Sequence, residues 1–357
     1  MEKKKIAVAM SGGVDSSVAA ALLLDQGHDI CGITMIVSSD IEGNPEDLAA
    51  KDAKKVCDQL GIKHFVVDLR DAFMEKVIKP FAKEYSSGNT PNPCVICNER
   101  IKFGALMDYA NELGYPNLAT GHYLNLVFDD KNNLYKIFGA KDKSKDQAYM
   151  LYRLNQKTLS KLVFPLARYE KTEVVKMAHE KNLASADRVE SQDICFIPDE
   201  DSYADYLIER SLIKSEKTGY FVDVTGNEIK EHDGVHKYTI GQRKGLGIAL
   251  GYPAYVIDID KENNNIIVGK KDMLFSKKMI VTDVSWLSGN KVEEIECNVK
   301  IRYSNSGFKA KVINIEENDY IVEFEQPVRA ITPGQSAVFY KNDELLGGGF
   351  IKPSEYK

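Results

Sequence analysis

AMSGGVDSSVAA, residues 9–20, decides how this chain is built. The β-rich run KIAVAM (5–10) leads into it, and the Ala/Leu-rich run GVDSSVAAALLLDQG (13–27) leads out as a helix stopped by Gly27. Two glycines between a strand and a helix permit a tight turn and close approach of backbone to a ligand. The N–H groups of such a loop, with the helix N-terminus behind them, make an anion site. Ser11, Ser16 and Ser17 add hydroxyl donors. Asp15 is an acid where an anion is expected, which makes sense for a carboxylate holding Mg²⁺ that bridges phosphates. The loop has neither the Gly-Lys-Ser/Thr ending of a Walker A sequence nor the G-x-G-x-x-G spacing of a dinucleotide fold.

Outward from the loop, strand and helix alternate up to about residue 125. ICGITMIV and KHFVVDL read as strands, and EDLAAKDAKKVCDQLGI and RIKFGALMDYANELG as helices. That alternation predicts a parallel α/β sheet. Met35 ends the second strand, and Gly121 follows the apolar PNLAT. Both fall at the carboxyl edge of the sheet, where α/β folds bind nucleotides; on its own, Met35 reads as a core residue. KTEVVKMAHEKNLA and DSYADYLIER add helices. After about residue 210 short β-rich runs take over, among them YVIDID, NIIVG, KMIVTDVSWL, KAKVINI, YIVEF and SAVFY. Such spacing predicts a small barrel or sandwich. The expected domains are 1–210, 211–276 and 277–357.

The chain has 357 residues, 43% of them hydrophobic, which is more than one ordinary core. No apolar run approaches the ~18 residues that span a bilayer. MEKKKIAVAM lacks the apolar length and cleavage site of a signal peptide, so the expectation is a cytoplasmic protein without membrane contact. Reducing cytosol argues against a disulfide framework for the six cysteines. The net charge of −6 gives no sign of nucleic acid, yet a local basic patch can serve on an acidic protein.

Cys31, Cys57 and Cys297 read as small core residues. Cys94, Cys97 and Cys195 differ. Pro91 and Pro93 predict an extended, exposed approach to CVIC, and Cys195 follows the polar Ser-Gln-Asp. Zinc would need a fourth ligand, for which His122 is the one nearby candidate. Two readings stay open: Cys97 and Cys195 form a redox pair handling a persulfide, or all three thiolates hold an iron–sulfur cluster.

The loop resembles the SGGxDS pyrophosphate loop of ATP pyrophosphatases. MSGGVDSS, TPNPCVICNERIKFG, ATGHY, KDQAYMLY, FPLARYEKTEVV, SQDICFIPD, YTIGQRKGLGI, IRY and TPGQSAVFY, in this order and spacing, together resemble the tRNA-specific 2-thiouridylase (MnmA/TrmU) family over nearly the whole chain. The resemblance implies an ATP-pyrophosphatase domain, a small central domain and a C-terminal β-barrel. It implies replacement of O2 of the wobble uridine, U34, by sulfur in tRNAs for Lys, Glu and Gln. Ala9, Met10, Ser11, Gly12, Gly13, Val14, Asp15 and Ser16, with Met35 and Gly121, would bind ATP and Mg²⁺. Cys97 matches the nucleophile and Cys195 the persulfide carrier. Asn92, Pro93 and Cys94 match the segment at the target base; His122, Lys145, Asp146, Gln147, Arg302, Tyr303 and Gln335 match positions that touch tRNA. Many members carry Asp where this chain has Cys94, and the Cys-x-x-Cys plus Cys pattern resembles an iron–sulfur-dependent subtype with a [4Fe-4S] cluster on Cys94, Cys97 and Cys195. A cysteine desulfurase or relay protein would supply the sulfur. Competing functions are a different adenylating ligase using the same loop, or a non-catalytic RNA-binding or sulfur-carrier protein.

The persulfide route requires Cys97 largely as thiolate, hence a depressed pKa.

Overall fold

The computed structural model describes residues 2–37, 45–188, 194–197, 202–213 and 219–353. Residues 191–193 and 198–199 of the stretch around Cys195 lie outside these. The N-terminal strands are β1 (Lys5–Ala9), β2 (Asp29–Ile36), β3 (Lys63–Asp68) and β4 (Asn117–Ala119), followed by a hairpin of β5 (Asn125–Asp129) and β6 (Leu134–Phe138), and by β7 (Leu162–Val163). One sheet runs β3-β2-β1-β4-β7 and is parallel throughout, as the alternating pattern predicts. The central strand β1 buries Ile6, Ala7 and Val8, a continuous apolar run of the kind a two-sided parallel sheet requires. The chain turns from β1 to β2 on one side and later places β4 on the other. The carboxyl ends of β1 and β4 therefore flank a topological switch point, where an open α/β sheet leaves a crevice.

The helix Val14–Asp25 starts at that crevice. It is apolar on nearly every side because it is covered on two. Ala20 and Leu23 pack on Ile6 and Val8 of the sheet, while Val14, Val18 and Ala21 pack on Val174 and Ala178 of the helix Lys171–Glu180. Small alanines let both neighbours come close, and the buried leucine and valines each contribute about 1.5–3 kcal/mol. A helical run over 70–86, interrupted by a π turn at Met74–Ile78, was not foreseen in the sequence.

A second sheet holds β8 (Gly219–Val222), β9 (Glu228–His232), β10 (Tyr255–Asp260) and β11 (Asn265–Gly269) in the order β10-β11-β8-β9. Phe221, Val256, Ile266 and Val268 form its own core. The last strands are β12 (Phe275–Trp286), β13 (Glu294–Lys300), β14 (Phe308–Glu316), β15 (Asp319–Arg329), β16 (Ser336–Lys341) and β17 (Glu344–Ile351). β12 pairs with both β15 and β17, which closes a barrel around Val281, Val299, Val312, Val322 and Phe339. The hairpin β5–β6, although N-terminal in sequence, extends this sheet from β17.

Candidate active site

The loop after β1 takes the shape its sequence predicts. Gly12 has φ +73°, a conformation that costs other residues about 1–2 kcal/mol. A Cβ there would also lie 2.7 Å from the Ala49 carbonyl oxygen. Gly13 precedes the helix in extended conformation without a side-chain cap, so the first helical N–H groups remain available to a ligand. Ser16 and Ser17 hydroxyls donate to the Gly13 carbonyl at 3.1 and 2.8 Å, and the Ser11 N–H donates to Ser16 Oγ at 3.3 Å. Met10 and Val14 are buried, so they offer backbone rather than side chain. Ala9 closes β1 half-buried, and the Thr34 hydroxyl donates to the Met10 carbonyl at 2.8 Å, fixing the loop's entry. Gly121, at the end of β4, presses on the same loop: a Cβ there would stand 2.8 Å from the Ser16 nitrogen. Met35 is the last residue but one of β2 and packs with the hydrophobic cores.

From the loop a cleft of about 570 Å³ runs toward the barrel. Asp15, Gly121, His122, Lys145 and Gln147 line one part; Asn92, Pro93, Cys94, Tyr303 and Gln335 line another. The cavity mixes lysine, amide and aromatic groups. 

Among its described lining residues Asp15 is the sole carboxylate, and Lys102 and Lys145 line the same cleft. Asp146 turns aside and accepts the Ala148 N–H at 3.0 Å. Gln147 accepts the Tyr123 N–H at 3.0 Å through its side chain. His122 is buried, with Nδ1 2.7 Å from the Thr120 hydroxyl; burial and the Lys102 ammonium hold its imidazole well below the usual value, so it is neutral at pH 7. Arg302 lies outside the cleft lining, its Nη2 donating to Ala330 O at 3.0 Å and Thr332 Oγ1 at 2.8 Å.

The extended approach expected at Pro91 and Pro93 ends sooner than predicted. Pro93 opens a short helix, Pro93–Cys97, capped by Asn92, whose side chain accepts the Cys94 N–H at 3.1 Å. Proline suits the first helical position because its missing N–H has no partner there anyway. The chain continues as a π-helix over Asn98–Ala105. The result is three unlike thiols: Cys94 half-buried on the cleft, Cys97 buried, and Cys195 exposed next to the lining residue Ile194. Burial pushes the Cys97 thiol up to about 12, and Cys94 and Cys195 add to the rise while Lys102 opposes it. This corrects the expectation of a depressed Cys97 pKa: in this arrangement desolvation outweighs the single nearby cation.

The barrel clamps this segment. The Gln335 amide donates to Thr90 O at 2.7 Å, the Thr90 N–H donates to Pro333 O at 2.9 Å, and Gly334 leaves no room for a side chain against Thr90. Gln335→Ala removes one hydrogen bond of this clamp and is expected to lower stability by about 0.5–1.5 kcal/mol. Thermal melts of the variant beside the wild type check it.

Three family models cover the chain: a tRNA methyl transferase HUP domain over residues 4–199, a tRNA methyl transferase PRC-barrel domain over 207–270, and an aminomethyltransferase beta-barrel domain over 276–351. The chain is 46% identical over 359 residues to tRNA-specific 2-thiouridylase MnmA of Carboxydothermus hydrogenoformans, with 98% of each chain covered. The chain belongs to the tRNA-specific 2-thiouridylase family. A second 2-thiouridylase, MnmA 2 of Thermoanaerobacter sp. strain X514, is likewise 46% identical over 357 residues and 98% of each chain. This family of tRNA sulfurtransferases carries a nucleotide-binding HUP domain, and here that domain contributes the loop, the switch-point glycine and the thiols. Among the described residues no helix is long and apolar enough to cross a membrane.

Sequence reasoning missed Lys102, Lys171 and Tyr123. Lys102 lines the cleft from the π-helix. Lys171 and Tyr123 both bind Asp15, with the Lys171 ammonium 2.7 Å from each carboxylate oxygen and the Tyr123 hydroxyl donating at 2.7 Å. All three sit inside the stretches that carry the family resemblance, but spacing alone does not say that residues 15, 123 and 171 meet.

Proposed function

We propose that this protein uses ATP to adenylate the C2 oxygen of a wobble uridine, U34, in tRNAs of the Lys, Glu and Gln type, and replaces that oxygen by sulfur. The carrying observation is one cleft that joins a phosphate loop at one end to Cys94 and its neighbouring thiols at the other. Its volume of about 570 Å³ falls in the usual range for a small-ligand site, roughly 300–1,000 Å³, and admits an extruded nucleotide. Residues 1–210 would do the chemistry, 211–276 would brace it and 277–357 would contact tRNA. The loop residues 9–16 and Gly121 would hold the phosphates, Asn92, Pro93 and Cys94 would frame the base, and Lys145, Gln147, His122, Tyr303 and Gln335 would line its path, with Arg302 and Asp146 shaping the surrounding surface. A methyl-transfer reading, suggested by the family models' descriptions, leaves both the phosphate loop and the thiols without a task.

Asp15 fits Mg²⁺: one carboxylate beside a phosphate loop suits an ion that takes its remaining ligands from phosphates and water. Mg²⁺ there would neutralise charge on the departing pyrophosphate. For a [4Fe-4S] cluster the donor types are right, but among the described residues no three His, Cys, Asp or Glu side chains gather closely enough to hold a metal. The thiols as arranged do not fit a cluster, and no step is assigned to one. Their asymmetry supports the persulfide route. Cys195, exposed, is open to loading by a sulfur-donor protein; Cys97, buried, is shielded from stray oxidants. The terminal persulfide sulfur attacks C2, AMP leaves with the former O2, and the Cys97 sulfur then attacks the Cys195 sulfur as its thiol proton passes to the departing 2-thiouridine sulfur. That breaks the S–S bond, frees 2-thiouridine and leaves a Cys97–Cys195 disulfide that a two-electron thiol reductant restores.

The difference in exposure has a measurable consequence. A thiol raised to about 12 stays protonated at pH 8, and only the thiolate alkylates. Iodoacetamide at pH 8 is expected to label Cys195 at least about tenfold faster than Cys97, as read by peptide mass spectrometry; equal rates would remove the shielded partner from the scheme. The activity itself is tested by digesting the tRNA and measuring 2-thiouridine by mass spectrometry after incubation with ATP and a sulfide or persulfide source.

A further inference from the structure

The loop after β1 lacks the lysine that a Walker A loop extends toward the β- and γ-phosphates. The fold brings one from far along the chain. Lys171 opens the helix Lys171–Glu180, which shares a core with the helix Val14–Asp25 through Val14, Val18, Val174 and Ala178. Its Nζ stands 2.7 Å from both oxygens of Asp15, in the first turn of that neighbouring helix. For stability alone this is a poor place for a cation, because helix N-termini carry partial positive charge and favour anions. Here an ammonium joins the open N–H groups of the loop. Asp15 is its direct counter-charge; Asp142 accepts the backbone N–H of Lys171 at 3.0 Å, while Glu170 and Glu173 cap the helix backbone and pair with Lys141. Local preferences broken at one point mark a functional site when the fold maintains the break.

Resting on the ATP-dependent reading above, we propose that Lys171 is the phosphate-binding lysine of this site, held by Asp15 and Tyr123 until ATP enters and then turned to the pyrophosphate portion. In the adenylation step the bond from uridine O2 to the α-phosphorus forms. The bond from that phosphorus to the oxygen bridging to the β-phosphate breaks, and pyrophosphate leaves with the electron pair. Lys171 stays protonated and neutralises the charge that develops on the leaving oxygen. The exchange frees the Asp15 carboxylate for the cation that accompanies the phosphates.

The test is a set of binding titrations on the full chain without tRNA, so that it stands or falls independently of thiolation. Mg·ATP, inorganic pyrophosphate with Mg²⁺, and AMP are each titrated into the wild type, Lys171→Gln and Lys171→Arg. Loss of one charge-assisted contact is expected to weaken Mg·ATP and pyrophosphate about 10- to 100-fold. AMP should bind Lys171→Gln as it binds the wild type, which also shows that the variant is folded, and Lys171→Arg should recover most of the loss. Unchanged Mg·ATP binding, or an equal loss for AMP and ATP, would overturn the assignment.

Discussion

Cys97→Ser is expected to stop 2-thiouridine formation while tRNA-dependent pyrophosphate release continues. In the proposed reaction the two halves use different ends of the cleft, so a change at the thiol end is expected to leave the phosphate loop intact. A serine hydroxyl neither ionises near neutral pH nor attacks a sulfur–sulfur bond at a useful rate. Loss of a nucleophile typically costs about 10³-fold or more in turnover, and that fall is expected in the steady-state rate. The substitution is nearly isosteric, so the packing of Cys97 among Phe81, Ile101 and Phe196 is kept. The added cost of a buried hydroxyl is about 1–3 kcal/mol, visible as a lower melting temperature without loss of fold. Thiolation by Cys97→Ser at the wild-type rate would take Cys97 out of the chemistry.

Gly121→Val is expected to abolish ATP binding in the accessible concentration range. Its Cβ would lie 2.8 Å from the Ser16 nitrogen and 2.9 Å from both the carbonyl carbon and the Cβ of Asp15. The first two contacts are helix backbone, which cannot swing away as a flexible side chain can. The helix N-terminus must move, and in the proposed site it is the element that presents N–H groups to phosphate. Overpacking of this kind costs about 1–3 kcal/mol in stability, and the Kd for ATP is expected to rise about 100-fold or more, in line with loss of two charge-assisted hydrogen bonds. Gly27→Ala is the matched control. Gly27 has φ +82° but nothing within 4 Å of the missing Cβ, so backbone strain alone should lower stability by about 1–2 kcal/mol and leave ATP binding unchanged. Calorimetric titration with thermal melts separates the two effects.

The parallel sheet was legible because β1 and β2 are short apolar runs separated by a helix with clear ends, Gly13 before it and Gly27 after it. The β-rich runs quoted from the C-terminal half all became strands, since turn residues isolate each of them. β9 escaped because Glu228–His232 carries mostly charged side chains on an exposed edge. The helical run over 70–86 escaped because its apolar positions are interrupted by lysines and by Pro80, which sits harmlessly near a helix start. At the site, the order of residues along the loop was readable but the thiol environments were not. Pro93 signals a helix start as well as a helix stop, and only the packing of Cys97 against the 70–86 and 203–209 helices decides that it is buried. Lys171 illustrates the general limit: 156 residues separate it from Asp15, and no local pattern encodes that contact.

Adenylation of a tRNA uridine is tested most directly by pyrophosphate release from Mg·ATP with tRNA transcripts that differ only at the wobble position. Release should occur with uridine at position 34 and fall to background with cytidine there, or without tRNA. Release that ignores the wobble base, or that answers instead to a small-molecule acid or amide, would contradict tRNA-uridine adenylation and turn the same loop toward a different ligase reaction.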